Sequence, residues 1–210
     1  MKTLFITTKN IDYIRNSQEI RLLRGQGREV ELFYSRGKNY PIRLICLYFQ
    51  LLFHSMRSYE EIFIGFAPQL ILPLFGWKFH GKRVVIDFFI SVYDTMVNDR
   101  KKIRGGSLLA RLVHWLDETT IRRADGIVAD TKSHGQYFVS EFGADPKKIR
   151  VLYLVADKSI YYPREAEKPE ELRDVFTVLY FGSVLPLQGV DIILQALDML
   201  KGRKDMHFIL

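Results

Sequence analysis

The sequence has one cysteine, Cys46, in 210 residues. A single thiol cannot build an internal disulfide framework, so the fold must rest on its core, and the chain suits a reducing compartment such as the cytoplasm. Apolar neighbours Ile45 and Leu47 predict a buried, inert thiol. No run of 18 uninterrupted apolar residues occurs, so no membrane-spanning helix is expected. The opening MKTLFITTKN turns polar after one short apolar run, unlike a secretory leader. No G-x-G-x-x-G follows the first strand-like run, which argues against a dinucleotide cofactor. Zinc fingers, RNA-recognition motifs and basic DNA-reading helices are missing too, so nucleic acid is not an expected partner. The carboxylates lack close ligand spacing, and no metal is expected.

What the chain has is core material: 48% hydrophobic and 13% aromatic residues, enough for a packed α/β domain. The net charge of +7 is uneven. Residues 1–163 carry 25 basic and 16 acidic side chains, residues 164–210 only 6 and 8. A basic first part by itself suits an anionic partner: a phospholipid surface, a lipid-phosphate substrate or nucleic acid, the last without a motif to support it; charge kept for solubility is the plain alternative.

Alternating strand-like and helix-like stretches predict a Rossmann-like parallel sheet. Strands are expected at Thr3–Thr8, Glu29–Tyr34, Glu61–Phe66, Arg83–Phe88 and Gly126–Asp130. Helices are expected from about Ser17 to Arg24, at Pro41–Tyr59, Gln69–Phe79 and Leu108–Arg123. Pro41–Tyr59 reads either as a core helix or as a basic amphipathic helix resting on a membrane. His54 within it is expected to be a satisfied helix residue.

The stretch Asp87–Gly106, DFFISVYDTMVNDRKKIRGG, sits where open α/β sheets bind ligands, beyond the carboxyl end of a strand. It combines Asp87, Asp94 and Asp99 with Asn98 and a basic cluster from Arg100 to Arg104. Asp87, Asp94, Asn98, Asp99 and Arg100 are the candidate ligand contacts at this edge. The plainer readings are Asp87 closing the strand end and Asp94 capping a helix that starts at Thr95. At the next strand tip, Thr131, Lys132 and Ser133 suit an anion contact, with Ser133 as a plain helix cap the alternative.

Residues 164–173, REAEKPEELR, read as a linker. Phe176–Leu200 then reads as a buried strand, a loop bearing Gly182, Pro186 and Gly189, and a helix. Pro186 stiffens the loop, and the helix N-terminus favours an anion such as phosphate. Met206–Leu210 begins another strand.

The run GSVLPLQG resembles the loop that opens the second domain of family-four glycosyltransferases of GT-B fold, whose usual pattern is G-R-L-x-x-x-K-G. Gly182 and Gly189 match; Ser183 and Gln188 stand where the Arg and Lys usually hold the donor diphosphate. A second resemblance runs from Ala124 to Pro163, with Asp125, Thr131, Phe142, Gly143, Lys148, Ile149, Val151, Asp157 and Tyr162 in matching positions. Phe89 occupies a position that is usually histidine, and Ala156 one that is usually glycine.

The resemblance implies an N-terminal acceptor-side domain (1–163), a linker (164–173) and the start of a donor-binding domain (174–210). It implies transfer of a sugar from a nucleotide sugar to a glycan or lipid-linked acceptor, with retention, in surface-polysaccharide synthesis in the cytoplasm or at the inner face of the membrane. Donor contacts fall to Gly182, Ser183, Gln188, Gly189 and Thr131, the catalytic carboxylates to Asp94 and Asp87, and acceptor contacts to Asn98, Asp99 and Arg100. No cofactor beyond the nucleotide-sugar donor is implied. The donor-side E-x7-E motif of the family has no counterpart before Leu210, so the chain by itself is expected to be inactive. The remaining half would come from further sequence, self-association or a partner chain. The alternative is a non-catalytic Rossmann-like subunit that completes a partner glycosyltransferase.

Overall fold

The computed structural model describes residues 1–37, 39–165, 167–184 and 188–210. The chain divides into two compact units, Met1–Val155 and Ala156–Leu210. Pro186 lies outside the described residues.

The first unit is a six-stranded parallel sheet in the order β2-β1-β3-β4-β5-β6. Its strands are β1 (Lys2–Ile6), β2 (Glu29–Phe33), β3 (Glu61–Ile64), β4 (Arg83–Asp87), β5 (Gly126–Ala129) and β6 (Ile149–Val151). β1, β3 and β4 are apolar almost throughout and nearly fully buried, as a sheet covered on both faces requires. Helices α1 (Ile14–Gly25), α2 (Tyr40–Phe53), α3 (Leu72–Phe75), α4 (Leu108–Arg123) and α5 (Lys132–Phe142) connect them. The first crossover runs outward from β1 to β2, and the later ones run the other way. Right-handed crossovers therefore put α1 on one face and α2 to α5 on the other. Two buried clusters follow. A large one joins Leu4, Ile6, Leu47, Leu51, Ile64 and Phe88 to α3, α4 and α5, and a small one packs Ile20 and Leu23 of α1 on Phe5, Phe63 and Val85.

Two expected helices and one expected burial change. The helix expected to reach Tyr59 stops at Phe53, where His54 turns extended; Lys78 Nζ donates to the freed carbonyls of Leu51 and Leu52, at 2.6 Å each. The helix expected over Gln69–Phe79 is broken into a turn at Pro68–Leu70, α3, and a turn at Gly76–Phe79. Pro73 lacks an amide hydrogen, and Gly76 weakens the following turn. Cys46 is exposed rather than buried, because α2 is apolar on its outer as well as its inner side. His54, just past the helix, is satisfied: Nε2 lies 2.9 Å from the Tyr59 hydroxyl.

The second unit holds β7 (Phe176–Leu179) and β8 (Met206–Ile209), paired in parallel, and α6 (Val190–Leu200) between them. The expected buried strand is instead open: Phe176 and Leu179 are both exposed, because two strands and one helix do not enclose a sheet.

Candidate acceptor-side site

The carboxyl edge of the first sheet is organised by two buried carboxylates. Asp87 ends β4 and is 1% exposed. Arg15, in the first turn of α1, grips it with a fork, Nε to Oδ2 at 2.7 Å and Nη2 to Oδ1 at 2.6 Å, and donates Nη1 to the Leu152 carbonyl at 3.0 Å. The Arg15 guanidinium also lies 4.9 Å from the centre of the Phe89 ring. Glu19 sits one turn further along α1, 3.8 Å from Arg15 and equally buried. Burial pushes its carboxyl well above the usual range, and the neighbouring Asp87 pushes it further. A proton on Glu19 would leave Arg15⁺ and Asp87⁻ as a neutral pair, the arrangement that a dry site favours. Asp87, proposed from sequence as catalytic, is thus placed as the buried partner of Arg15 that ties α1 to β4 and β6.

The second carboxylate, Asp117 of α4, is fully buried. It accepts from Gln69 Nε2 (3.0 Å), Ser91 Oγ (2.7 Å) and the backbone amides of Val92 (3.3 Å) and Tyr93 (2.8 Å). Burial raises its pKa and these bonds oppose the rise. Asp117 therefore fixes the loop after β4. It stands in LVHWLDETT, a plain amphipathic helix, where an inward-facing Asp was the available signal. Asp117→Asn is expected to lower stability by about 2–3 kcal/mol, because one amide hydrogen-bond donor must face another in that cage. A urea midpoint unchanged from wild type would show that the cage does not hold the loop.

Beyond this anchor, Asp94–Asp99 forms a π-helical turn, a form frequent at functional sites. The Asp94 amide donates to Ser91 Oγ (2.9 Å), so Ser91 takes the capping role suggested for Asp94. Asp94 Oδ1 accepts from Asn98 Nδ2 at 2.7 Å. Asp94 and Asp99 line a cleft of ≈ 150 Å³ with Phe89, Ser91, His134 and Tyr137. Asn98 and Arg100 are not among its lining residues.

Across the cleft lies a group that the sequence reading passed over. His134 is in the first turn of α5, and its Nδ1 is 2.6 Å from Asp130 Oδ1 at the tip of β5. The ring is half-exposed. A carboxylate on Nδ1 orients an imidazole and leaves Nε2 for proton exchange. The D-x-x-x-H spacing was the available signal. Thr131, not Ser133, caps α5: its Oγ1 accepts from the His134 amide at 3.1 Å while its backbone is still extended.

In the second unit, Gly189 is left-handed (φ 64°) ahead of α6. The Tyr180 hydroxyl lies 2.8 Å from Gln188 Oε1 and 3.0 Å from the Ser183 carbonyl, which knits both ends of the loop together. Gly182, Ser183, Gln188 and Gly189 thus share one loop at a helix N-terminus; Thr131 belongs to the first unit.

Comparison with known proteins places this geometry. Anabaena HepE, solved in complex with UDP, superposes with a TM-score of 0.51 at 13% identity, over 99% of this chain and 68% of HepE. Its complex with UDP and glucose gives 0.50 at the same identity and coverage. The chain has a GT-B-like glycosyltransferase fold. A D-inositol 3-phosphate glycosyltransferase from Thermomonospora curvata is 30% identical over 90 residues, 38% of this chain and 21% of that protein. No family model matches. Within this GT-B-like fold, several residues that carried the sequence resemblance do structural work. Asp125 accepts the Val84 amide (2.8 Å), Lys148 Nζ donates to the Ala124 carbonyl (2.9 Å), and Gly143 ends α5 at φ 65°.

Proposed function

We propose that the chain is the acceptor-side portion of a retaining glycosyltransferase that moves a sugar from a nucleotide sugar to a glycan or lipid-linked acceptor in surface-polysaccharide synthesis, at the inner face of the membrane. The observation that carries this reading is the cleft at the carboxyl ends of β4 and β5, which Asp94 and the Asp130-oriented His134 both line in a GT-B-like fold. Such a pair can bind an acceptor hydroxyl and take its proton as the oxygen bonds to the anomeric carbon and the bond to the diphosphate breaks. Asp99 supplies a further acceptor contact in that cleft, with Asn98 holding Asp94 and Arg100 adjoining the same turn.

The loop of Gly182, Ser183, Gln188 and Gly189 is the proposed donor-phosphate contact, through backbone amides and the α6 N-terminus; Thr131, at the start of α5 in the first unit, is proposed by itself as an anion contact. Binding of UDP by the HepE neighbour supports a uridine-diphosphate sugar as donor. No cofactor beyond that donor is proposed.

The second reading is a non-catalytic subunit that completes a partner glycosyltransferase chain. The uncharged Ser183 and Gln188 and the open apolar surface of β7 favour it. The deciding experiment incubates the native full-length polypeptide with a panel of nucleotide sugars and membrane-derived acceptors. Transfer with the donor's anomeric configuration kept supports the first reading. Absence of transfer across the panel, with capture of a second chain on purification, would replace it by the second.

A further inference from the structure

The outer side of α2 is apolar without interruption. Ile42, Ile45, Phe49, Leu52 and Phe53 are all exposed; at about 100° per residue they fill an arc of about 100°, with Leu47 and Leu51 buried on the opposite side. The Phe49 and Phe53 rings pack on each other 5.1 Å apart while 65% and 77% exposed. The patch continues past the helix end, because Lys78 binds the carbonyls of Leu51 and Leu52 and so brings in Trp77, 68% exposed. No helix among the described residues is long and apolar enough to cross a membrane, so the patch does not belong to a span.

Charge selects the occupant. α2 carries one charged side chain, the basic Arg43, and no acidic one, and the cation bonded to its end is Lys78. A second copy of the chain would set cations against cations. An anionic bilayer offers what this face matches: acyl chains for the Phe stripe, an interfacial zone for Trp77, and lipid phosphates for the basic rim.

We propose that α2 with Trp77 is a membrane-seating face that rests on anionic phospholipid. It lies flat, with its apolar arc at the depth of the acyl boundary. The start of α2 adjoins the β1 loop at the carboxyl edge of the sheet: the Tyr40 hydroxyl is 3.0 Å from Thr8 Oγ1, and Arg43 Nη1 is 2.5 Å from Asn10 Oδ1. Seating α2 thus brings that edge to the lipid surface. The proposal stands whether or not the protein transfers sugar.

The test is co-sedimentation of the chain with vesicles of phosphatidylcholine alone, or with phosphatidylglycerol added. Binding is expected only with phosphatidylglycerol, and weaker at high salt. The triple variant Phe49→Ser, Phe53→Ser, Trp77→Ser, whose side chains are exposed, is expected to bind more than about tenfold more weakly while melting like wild type. Leu112→Ser with Trp115→Ser, on the exposed side of α4, is expected to keep wild-type binding. Failure of the wild type to bind anionic vesicles overturns the proposal. So does a triple variant that binds as wild type, loss of binding in the α4 variant instead, or a wild-type dimer that the triple variant abolishes.

Discussion

Arg15→Ala is expected to destabilise the protein by about 3–5 kcal/mol, read as a fall in the urea midpoint at constant slope. The guanidinium is the cation in a cluster that holds two buried carboxyls, and it bridges α1 to β4 and to the Leu152 carbonyl. Without it Asp87 stays buried with its charge unmatched, or must bind a proton. A loss below about 1 kcal/mol would mean that water or a shifted side chain replaces the fork.

The same cluster sets a pH dependence. In the unfolded chain Glu19 titrates near its ordinary 4.5, whereas in the folded protein burial raises it well above that value; Asp87 shifts upward for the same first reason. The folded state therefore holds more protons than the unfolded state between these limits. Its stability is full below the ordinary carboxyl range and declines as pH rises through the folded pKa. Glu19→Gln is expected to flatten that decline. Equal slopes of stability against pH in the two proteins would place the proton elsewhere.

His134→Ala is expected to lower kcat for sugar transfer about 10²- to 10⁴-fold in the native full-length polypeptide, the span usual for a positioned acid or base. Asp130→Asn is expected to lower it less, since the imidazole stays and only its orientation and charge support weaken. Asp94→Asn separates the two proton-accepting candidates. If Asp94 only binds the acceptor, KM rises with little change in kcat; if it takes the proton, kcat falls and the pH profile loses a limb. Wild-type kcat in His134→Ala would leave Asp94 as the base. Because α5 is capped by Thr131 and not by His134, this substitution leaves the helix start intact.

Periodicity, strand composition and turn residues determined most of the architecture from sequence. The parallel sheet was legible because β3 and β4 read as continuous apolar runs, and α4 was legible to the residue because its stripe is regular; the structure adds Ser107 as its cap. The placement of Asp94 and Asp99 at the carboxyl edge was legible because they follow a strand of the parallel sheet, and both line the cleft there. Local signals failed where partners come from far along the chain. The end of α2 at Phe53 is held by Lys78, the cage of Asp117 takes donors from Gln69 and from residues 91–93, and Arg15 meets Asp87 across 72 positions. No window of sequence contains both members of such a pair. The exposure of Cys46 and of the Phe49 ring had the same origin, since an apolar run states that a residue prefers cover but not which neighbours supply it. Sequence thus determined which segments would be strands and helices and which loops would carry charge. Tertiary structure alone decided which carboxylates are buried partners and which face a cleft, because desolvation and hydrogen bonding act on distance in space, not on distance along the chain.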